Sequence, residues 1–186
     1  IYWSQSEARL ANRSSAIDKK LLKAAETICA QFAARELDAD TAAANLAKLG
    51  GFGDGAAQLL ESQYAHFRTL SDSREHMTEA EKLSRNGEFL AAREEYLQVI
   101  EEDIDYADAQ AKAEASIGLY AEDVLSDANI FIQTGDYASA IRALEEGNNT
   151  LYTYGTFNAD IDTKLAGCIT LFNENTLADA GKLAEL

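Results

Sequence analysis

Histidine is the side chain that most often performs acid–base or metal chemistry near neutral pH, and the chain has two. His66 and His76 lie ten residues apart, whereas two zinc ligands on one helical face stand four residues apart. Neither has a histidine partner at that spacing. We therefore predict that both are exposed helix residues without a catalytic or metal-binding role.

Two clusters of acidic residues could bind calcium, because carboxylate oxygens are its preferred protein ligands. One cluster occupies residues 101–108, and the other consists of Asp38 and Asp40. Neither has both the central glycine and the glutamate at the twelfth position that an EF-hand loop requires. Both are interpreted as helix ends and caps. No pair among the 32 acidic residues stands out as the acid and nucleophile of a glycosidase.

The glycine-rich residues 50–55 could form a phosphate-binding turn. Such a turn follows a strand and is completed by a lysine, and this segment has neither feature. It is predicted to connect two helices. The sequence thus predicts no catalytic residue, no cofactor and no metal ion, and a protein that is not an enzyme.

The two cysteines, Cys29 and Cys168, each lie on an apolar stripe with helical spacing. Leu22, Ala25 and Phe32 accompany the first, and Ile161, Leu165 and Phe172 accompany the second. Cysteines in such stripes are usually buried, unpaired thiols, and we predict that state for both. They leave the redox compartment open.

Proline is absent and the 11 glycines lie mostly between apolar segments, so long stretches carry nothing that interrupts a helix. Hydrophobic residues make up 47% and charged residues 26%, as in folded domains, which excludes a disordered or collagen-like chain. The sequence therefore predicts an all-α fold.

No apolar run reaches the roughly 18 to 20 residues of a membrane span. The chain begins with Ile1, Tyr2 and Trp3, and aromatic residues collect at membrane interfaces. Two interpretations stay open: the triplet is the remainder of a membrane anchor upstream of Ile1, or it is a cut within a larger soluble protein. An extracytoplasmic, membrane-anchored location is the first expectation, and a cytoplasmic one is the alternative.

The formal net charge is −16, and it is concentrated in the second half of the chain. Residues 95–186 contain 18 acidic and four basic residues, whereas residues 1–94 contain 14 and 12. Nucleic acids and anionic membranes bind basic surfaces, so both are disfavoured as partners. A basic or neutral protein partner is compatible with this charge, and so is a surface that only maintains solubility.

An internal repeat relates two segments at an offset of 48 residues. Gly87, Glu88 and Phe89 align with Gly135, Asp136 and Tyr137, and Ala92 and Tyr96 align with Ala140 and Leu144. In each copy the glycine supplies the left-handed conformation that ends one helix, and the acidic residue caps the next. Each copy is predicted to be a pair of helices joined by a tight turn.

Two weaker copies flank the clear ones. In a degenerate copy over residues 37–55, Leu37 replaces the glycine and residues 38–41 supply the cap. A final copy over residues 158–186 stops one residue before its expected glycine, so its helix lacks a partner. We expect the natural protein to continue, and any dimer formed through residues 158–186 to result from the missing partner helix.

Periodicity and turn residues predict about seven helices, alternately long and short. Their ranges are 5–36, 40–49, 55–86, 88–101, 106–134, 137–149 and 158–186. A break is predicted at residues 71–73, where Asp72 and Glu75 can form a capping box, with weaker breaks at Gly118 and residues 173–176. We interpret residues 1–36 as an N-terminal helix, next to the membrane if an anchor precedes it, and residues 37–186 as one continuous repeat domain.

Residues 73–106 resemble a tetratricopeptide repeat, and residues 121–154 do so more weakly. The matching residues are Ala80, Gly87, Phe89, Ala92 and Tyr96, followed by Ala128, Gly135, Tyr137, Ala140 and Leu144. The chain departs from that family in its period of 48 to 52 residues and in lacking the early tryptophan and the closing proline. Its junctions, such as residues 106–109, are similar to those in tetratricopeptide-like surface proteins of Gram-positive bacteria. The resemblance implies a divergent α–α superhelix with long helices.

In the tetratricopeptide family, the first helix of each pair lines a concave groove that holds a peptide. The resemblance places eight residues there, namely Arg74, Met77, Glu81, Arg85, Leu125, Asn129, Ile132 and Gln133. It implies a non-catalytic scaffold or adaptor that binds a peptide or protein partner. Two alternatives stay open: these residues pack against a neighbouring unit, or the chain is a structural spacer in the extracytoplasmic part of a membrane-anchored bacterial surface protein.

Overall fold

The structure is a computed structural model that describes residues 2–53 and 55–184. Over this range it contains eight α-helices and no strand, which confirms the all-α class. The helices are α1 Tyr2–Ala33, α2 Ala39–Gly50, α3 Ala56–Leu59, α4 Glu61–Arg85, α5 Phe89–Tyr96, α6 Tyr106–Gln133, α7 Tyr137–Thr153 and α8 Ala159–Ala184. The expectations attached to Ile1, Asp54 and Leu186 lie outside the described residues.

No break occurs where the polar residues 71–73 predicted one, because α4 continues through them. The side chain of Ser73 is buried, so this turn of the helix is held by interior packing. Helix α6 likewise runs through Gly118, and α8 runs through residues 173–176. Burial of one face stabilises a long helix more than a few polar residues weaken it locally. The break in the range 55–86 instead falls at the fully buried Leu60, between α3 and α4.

The helix predicted over residues 88–101 is too long, since α5 ends at Tyr96 and residues 97–105 form turns. Within the predicted range, the N–H of Ile100 donates to the hydroxyl of Ser73 at 3.2 Å, and that hydroxyl donates to the buried carboxylate of Asp103 at 2.9 Å. Such side-chain bonds offer the backbone an alternative to helical pairing. Helix α7, by contrast, extends past its predicted end at residue 149 to Thr153.

Two glycines end helices as the repeat predicts. Gly87 and Gly135 have φ angles of 83° and 77°. The N–H groups that follow them, those of Glu88 and Asp136, each donate a 2.9 Å hydrogen bond back to the last helical turn. This arrangement requires a left-handed residue, which glycine adopts without steric penalty.

The degenerate copy turns at a different residue from the predicted Leu37. Arg35 has φ 59°, and the N–H of Glu36 donates to the carbonyl oxygen of Gln31 at 2.8 Å, so Arg35 occupies the place of the glycine. Arginine has no preference for this conformation, which is why the sequence did not indicate it. Asp38 caps α2 as predicted, accepting the N–H of Thr41 at 2.7 Å.

The chain divides into two compact units. Unit 1 comprises Ile1–Glu79 and Leu97–Ala109, and unit 2 comprises Ala80–Tyr96 and Gln110–Leu186. Buried residues of α1, α2 and α4, with Leu60, form the interior of unit 1; they are Ala25, Cys29, Phe32, Ala42, Leu46, Leu60 and Leu70. The repeat units and their grouping into one domain stay predictions.

Helices α6, α7 and α8 form the interior of unit 2. Its buried residues are Ala121, Val124, Ala128, Ala140, Leu144, Leu151, Ile161 and Cys168. Helices α6 and α7 approach closely where Gly147 meets Val124, because a Cβ atom on Gly147 would lie within 3 Å of the valine. None of the described helices has the length and apolar character needed to cross a membrane.

Candidate functional site

Helix α6 carries two adjacent apolar faces. The first is buried in unit 2 and includes Val124 and Ala128. The second consists of Leu125, Asn129 and Ile132, which are spaced four and three residues apart and are partly buried. Such spacing keeps side chains on one side of a helix. Leu125 and Ile132 pack against the edge of the unit 2 core, and this second face of α6 is only half covered.

Helix α8 supplies the opposite wall of an open groove. The wall residues follow one another at spacings of three and one; they are Asp160, Thr163, Lys164, Gly167, Cys168 and Leu171. Together with the second face of α6 they line a volume of ≈ 600 Å³, which we call the α6–α8 groove. This volume lies within the range of sites that hold part of a peptide or a small molecule.

Local contacts fix the start and the rotation of α8. The side chain of Asn158 accepts the N–H groups of Asp160 at 3.0 Å and Ile161 at 3.1 Å, which caps the helix. Ile161 is fully buried in unit 2. Asn148 of α7 donates to the carboxylate of Asp162 at 2.6 Å. A cap, an apolar anchor and an interhelical hydrogen bond thus hold the groove face of α8 in position.

One hydrogen bond joins the two walls of the groove. Nζ of Lys164 donates to Oδ1 of Asn129 at 2.8 Å. Hydrogen bonds from a charged donor are stronger than those between neutral groups, so this contact sets the distance between α8 and α6 here. The amide oxygen of Asn129 is thereby oriented towards α8.

Gly167 and Cys168 shape the α8 wall. A Cβ atom added to Gly167 would meet no atom within 4 Å, so the wall is open at this residue. Cys168 is only 2% exposed, and burial raises the pKa of its thiol, an effect that the ammonium group of Lys164 opposes. Since the pKa remains raised, the thiol is protonated at neutral pH and provides apolar surface instead of a nucleophile.

The structure brings three of the eight predicted groove residues together. These are Leu125, Asn129 and Ile132. Gln133 follows them on α6 and is exposed, and Arg85 is exposed at the end of α4. Glu81 accepts a 2.8 Å hydrogen bond from Nζ of Lys112 within unit 2. The contact of Glu81 accounts for its position without a partner protein.

Arg74 and Met77 belong to unit 1. The guanidinium of Arg74 donates to the carbonyl oxygen of Ala33 at 3.0 Å and lies 4.2 Å from the centre of the Phe32 ring. Burial lowers the pKa of Arg74, and the charge of Asp103, whose carboxylate lies 3.8 Å from its Nε, opposes that shift. Met77 is buried. The interior contacts of both residues account for them without a partner.

The residues first considered for chemistry are dispersed. His66 is exposed as predicted, whereas His76 is half-buried. Cys29 and Cys168 are both buried, free thiols, as predicted. Over the part of the chain that the structure describes, no three histidine, cysteine or acidic side chains converge to hold a metal ion.

Sequence reasoning missed the α8 wall. The resemblance assigned groove positions only within the two clear repeats, and it treated residues 158–186 as an incomplete copy. A signal was present, because Asp160, Lys164, Gly167 and Leu171 recur at spacings of three or four residues. A face that mixes apolar, small and polar residues at that spacing is typical of a partly covered helix surface.

No family model, curated protein or solved structure matches this chain. The assignment of the groove therefore depends on the geometry and chemistry of the chain's own residues.

Proposed function

We propose that this chain is a non-catalytic, tetratricopeptide-like repeat module that binds a segment of a partner protein in the α6–α8 groove. The observation that carries the proposal is the meeting of Leu125, Asn129 and Ile132 with one face of α8. In the tetratricopeptide family, first helices of successive pairs line the peptide groove. Helices α6 and α8 are the first helices of the predicted units 121–154 and 158–186, which supports the proposal.

The chemistry of the groove selects a class of partner. Apolar side chains on both walls favour burial of apolar anchors, at about 25 cal/mol per Å² of surface removed from water. The lining contains Asp160 and also Lys164, whose ammonium group is hydrogen-bonded to Asn129. The exposed Glu122 and Glu174 continue the faces of α6 and α8 one helical turn further, so acidic residues outnumber basic ones in this region. The proposed ligand is therefore a protein segment in which basic residues flank apolar anchors. These carboxylates repel phosphate, so the proposal does not include nucleic acid.

A matched pair of glycine variants tests the groove. Gly167→Arg inserts a long cationic side chain into it, whereas Gly118→Arg makes the same change on α6 outside it. A Cβ atom at either position meets no neighbour within 4 Å, so we expect both variants to fold. The probes are fluorescent helical peptides that carry apolar anchors and flanking lysines, measured by anisotropy.

We expect saturable binding that Gly167→Arg weakens at least about tenfold, equivalent to about 1.4 kcal/mol. Gly118→Arg should bind like the wild type. Equal affinities of the two variants would contradict the groove assignment. Failure of every peptide and protein partner to bind would instead favour the structural spacer.

A further inference from the structure

The N-terminal part of α1 exposes a row of large apolar side chains. Trp3, Leu10 and Ile17 are 83%, 66% and 56% exposed, and they stand seven residues apart. Seven residues return to nearly the same face of a helix after two turns. The three side chains therefore lie in one row along the helix, two turns apart and separated by Glu7 and Ser14, and we call this row the α1 stripe.

The N-terminal part of α1 is basic, whereas the half of the chain that contains the groove is acidic. Residues 2–23 contain five basic and two acidic residues, a net charge of +3 in a chain whose total is −16. Residues 95–186, which include both walls of the groove, carry a net charge of −14. Opposite charges on two surfaces accelerate and orient their association. The lining of the groove contains one acidic and one basic residue, Asp160 and Lys164, so the charge that is complementary to α1 belongs to the surface around it, which includes the exposed Glu122 and Glu174.

The spacing of apolar groups is complementary as well. Leu125 and Ile132 stand seven residues apart on α6. Seven residues rise about 10.5 Å along a helix, so side chains of the α1 stripe and of the groove repeat at the same distance. Gly167 has no side chain, which allows another helix to approach α8 closely.

We propose that the α1 stripe of one copy of this chain docks in the α6–α8 groove of a second copy. The inference rests on the proposed function, because it names the occupant of that groove. It departs from the expectation that a dimer through residues 158–186 results only from a missing partner helix, because here α8 contacts α1 of another copy and not a second α8. The stripe supplies apolar anchors, and Arg9 and Arg13, which flank Leu10, meet the acidic side chains at the groove edges. The two surfaces differ, so the contact extends from copy to copy unless two copies exchange stripes and close a dimer.

An anionic membrane is the other surface that attracts a basic helix with exposed apolar residues. The α1 stripe has one large apolar residue in seven, and Glu7 and Ser14 lie between these residues on the same face. A helix that lies in a membrane surface has a broad apolar face. A narrow stripe with seven-residue spacing fits a groove between two helices better.

Trp3 is the chain's single tryptophan, so its fluorescence reports directly on the α1 stripe. We expect a blue shift, weaker acrylamide quenching and a rising mass in sedimentation equilibrium as the concentration of the full chain rises from nanomolar to high micromolar. High salt should weaken the association, because it screens the charges. Leu10→Asp should abolish the association, and Gly167→Arg should weaken it at least about tenfold. Gly118→Arg should leave it unchanged.

A monomeric mass and constant Trp3 quenching over the whole range overturn the proposal. Association that Gly167→Arg and Gly118→Arg alter equally also overturns it, as does a blue shift that only phosphatidylserine-containing vesicles produce. Trp3 protected at the lowest concentration would indicate a contact within one chain and would reject a second copy. If the chain stays monomeric but binds the lysine-flanked peptides in a Gly167-dependent manner, the proposed function stands and this inference fails.

Discussion

The hydroxyl of Ser73 donates a 2.9 Å hydrogen bond to Oδ2 of Asp103, and both side chains are buried. The same hydroxyl accepts the N–H of Ile100 at 3.2 Å, and Oδ1 of Asp103 accepts the N–H of Asp105 at 3.2 Å. Arg74 places its guanidinium beside the carboxylate. These polar contacts hold the turn segment 97–105 against α4 within unit 1.

Ser73→Ala should destabilise the protein by about 1 to 3 kcal/mol, because it leaves the buried carboxylate of Asp103 and the N–H of Ile100 without this partner. Denaturant unfolding followed by circular dichroism measures the change. Ser62→Ala is the matched control, since Ser62 is exposed on the same helix and should change stability by less than about 0.5 kcal/mol. Equal stabilities of the two variants would show that the buried hydroxyl contributes nothing.

The contact between Ser73 and Asp103 is also an example of a feature that the sequence alone did not predict. Turns at Gly87 and Gly135 were predictable, because a glycine followed by a capping acid determines them locally. The burial of Ser73 depends on a carboxylate 30 residues away, so its local pattern indicated a helix break instead. Tertiary contacts thus reversed the local preference in α4, and in residues 97–101 they replaced a predicted helix with turns.

The sequence likewise predicted one wall of the candidate groove but not the other. Leu125, Asn129 and Ile132 were predictable, because the resemblance to the tetratricopeptide family assigns their positions to the side of the first helix that faces a groove. Their meeting with α8 was not, since it depends on the rotation of α8, which Asn158 and the burial of Ile161 fix.

Gly147→Ala should destabilise unit 2, whereas Gly118→Ala should stabilise it. A Cβ atom on Gly147 would lie 2.4 Å from Cγ1 of Val124, and a β-branched side chain in a helix has one strongly preferred rotamer. The overpacking should cost about 1 to 3 kcal/mol of stability. This cost should exceed the gain of about 1 kcal/mol that alanine brings over glycine in helix propensity. A Cβ atom on Gly118 would meet no atom within 4 Å, so Gly118→Ala keeps the gain in helix propensity without a cost from overpacking.

Unfolding free energies of the two alanine variants test this difference in sign. Val124→Ala combined with Gly147→Ala should recover part of the loss, because the two side chains then fit together. A stabilising effect of Gly147→Ala alone would refute the close approach of α6 and α7.

Arg35→Gly should be more stable than Arg35→Ala by about 1 kcal/mol, since only glycine adopts the observed φ of 59° without steric penalty. Both substitutions remove the ion pair between Arg35 and Asp105, so their difference isolates the backbone. At residue 118, which lies within a helix, the order of stability should reverse, so that Gly118→Ala is more stable than the wild type with glycine. Thermal unfolding of Arg35→Gly, Arg35→Ala, the wild type and Gly118→Ala measures both differences. If alanine is more stable than glycine at residue 35 as well as at residue 118, the turn does not lie at Arg35.

Acid should weaken the caps of α2 and α7. Hydrogen bonds from the N–H and hydroxyl of Thr41 lower the pKa of Asp38, and bonds from Ser139 lower that of Asp136. A carboxyl pKa that is lower in the folded state contributes stability above the unfolded value of about 3.9, and this contribution is lost as pH falls through the folded pKa. The caps should therefore weaken below about pH 4.

A variant that combines Asp38→Asn with Asp136→Asn keeps both cap acceptors but cannot titrate. Its melting temperature should lie below that of the wild type at pH 7, and the difference should shrink as the pH falls below about 4. Comparison at each pH cancels the effect of the other acidic residues. Parallel melting curves for the two proteins across this range would contradict a role for charged caps.

Cys168 offers a local measure of opening in unit 2. Because burial raises the pKa of the thiol and excludes reagents, iodoacetamide should modify it in the native protein far more slowly than a free thiol. Modification then proceeds through transient opening, so its rate follows the free energy of opening. Gly147→Ala should accelerate labelling of Cys168, and Gly118→Ala should slow it, each about tenfold per 1.4 kcal/mol. Labelling at the free-thiol rate in the wild type would show that the thiol is not buried behind the α6–α8 groove.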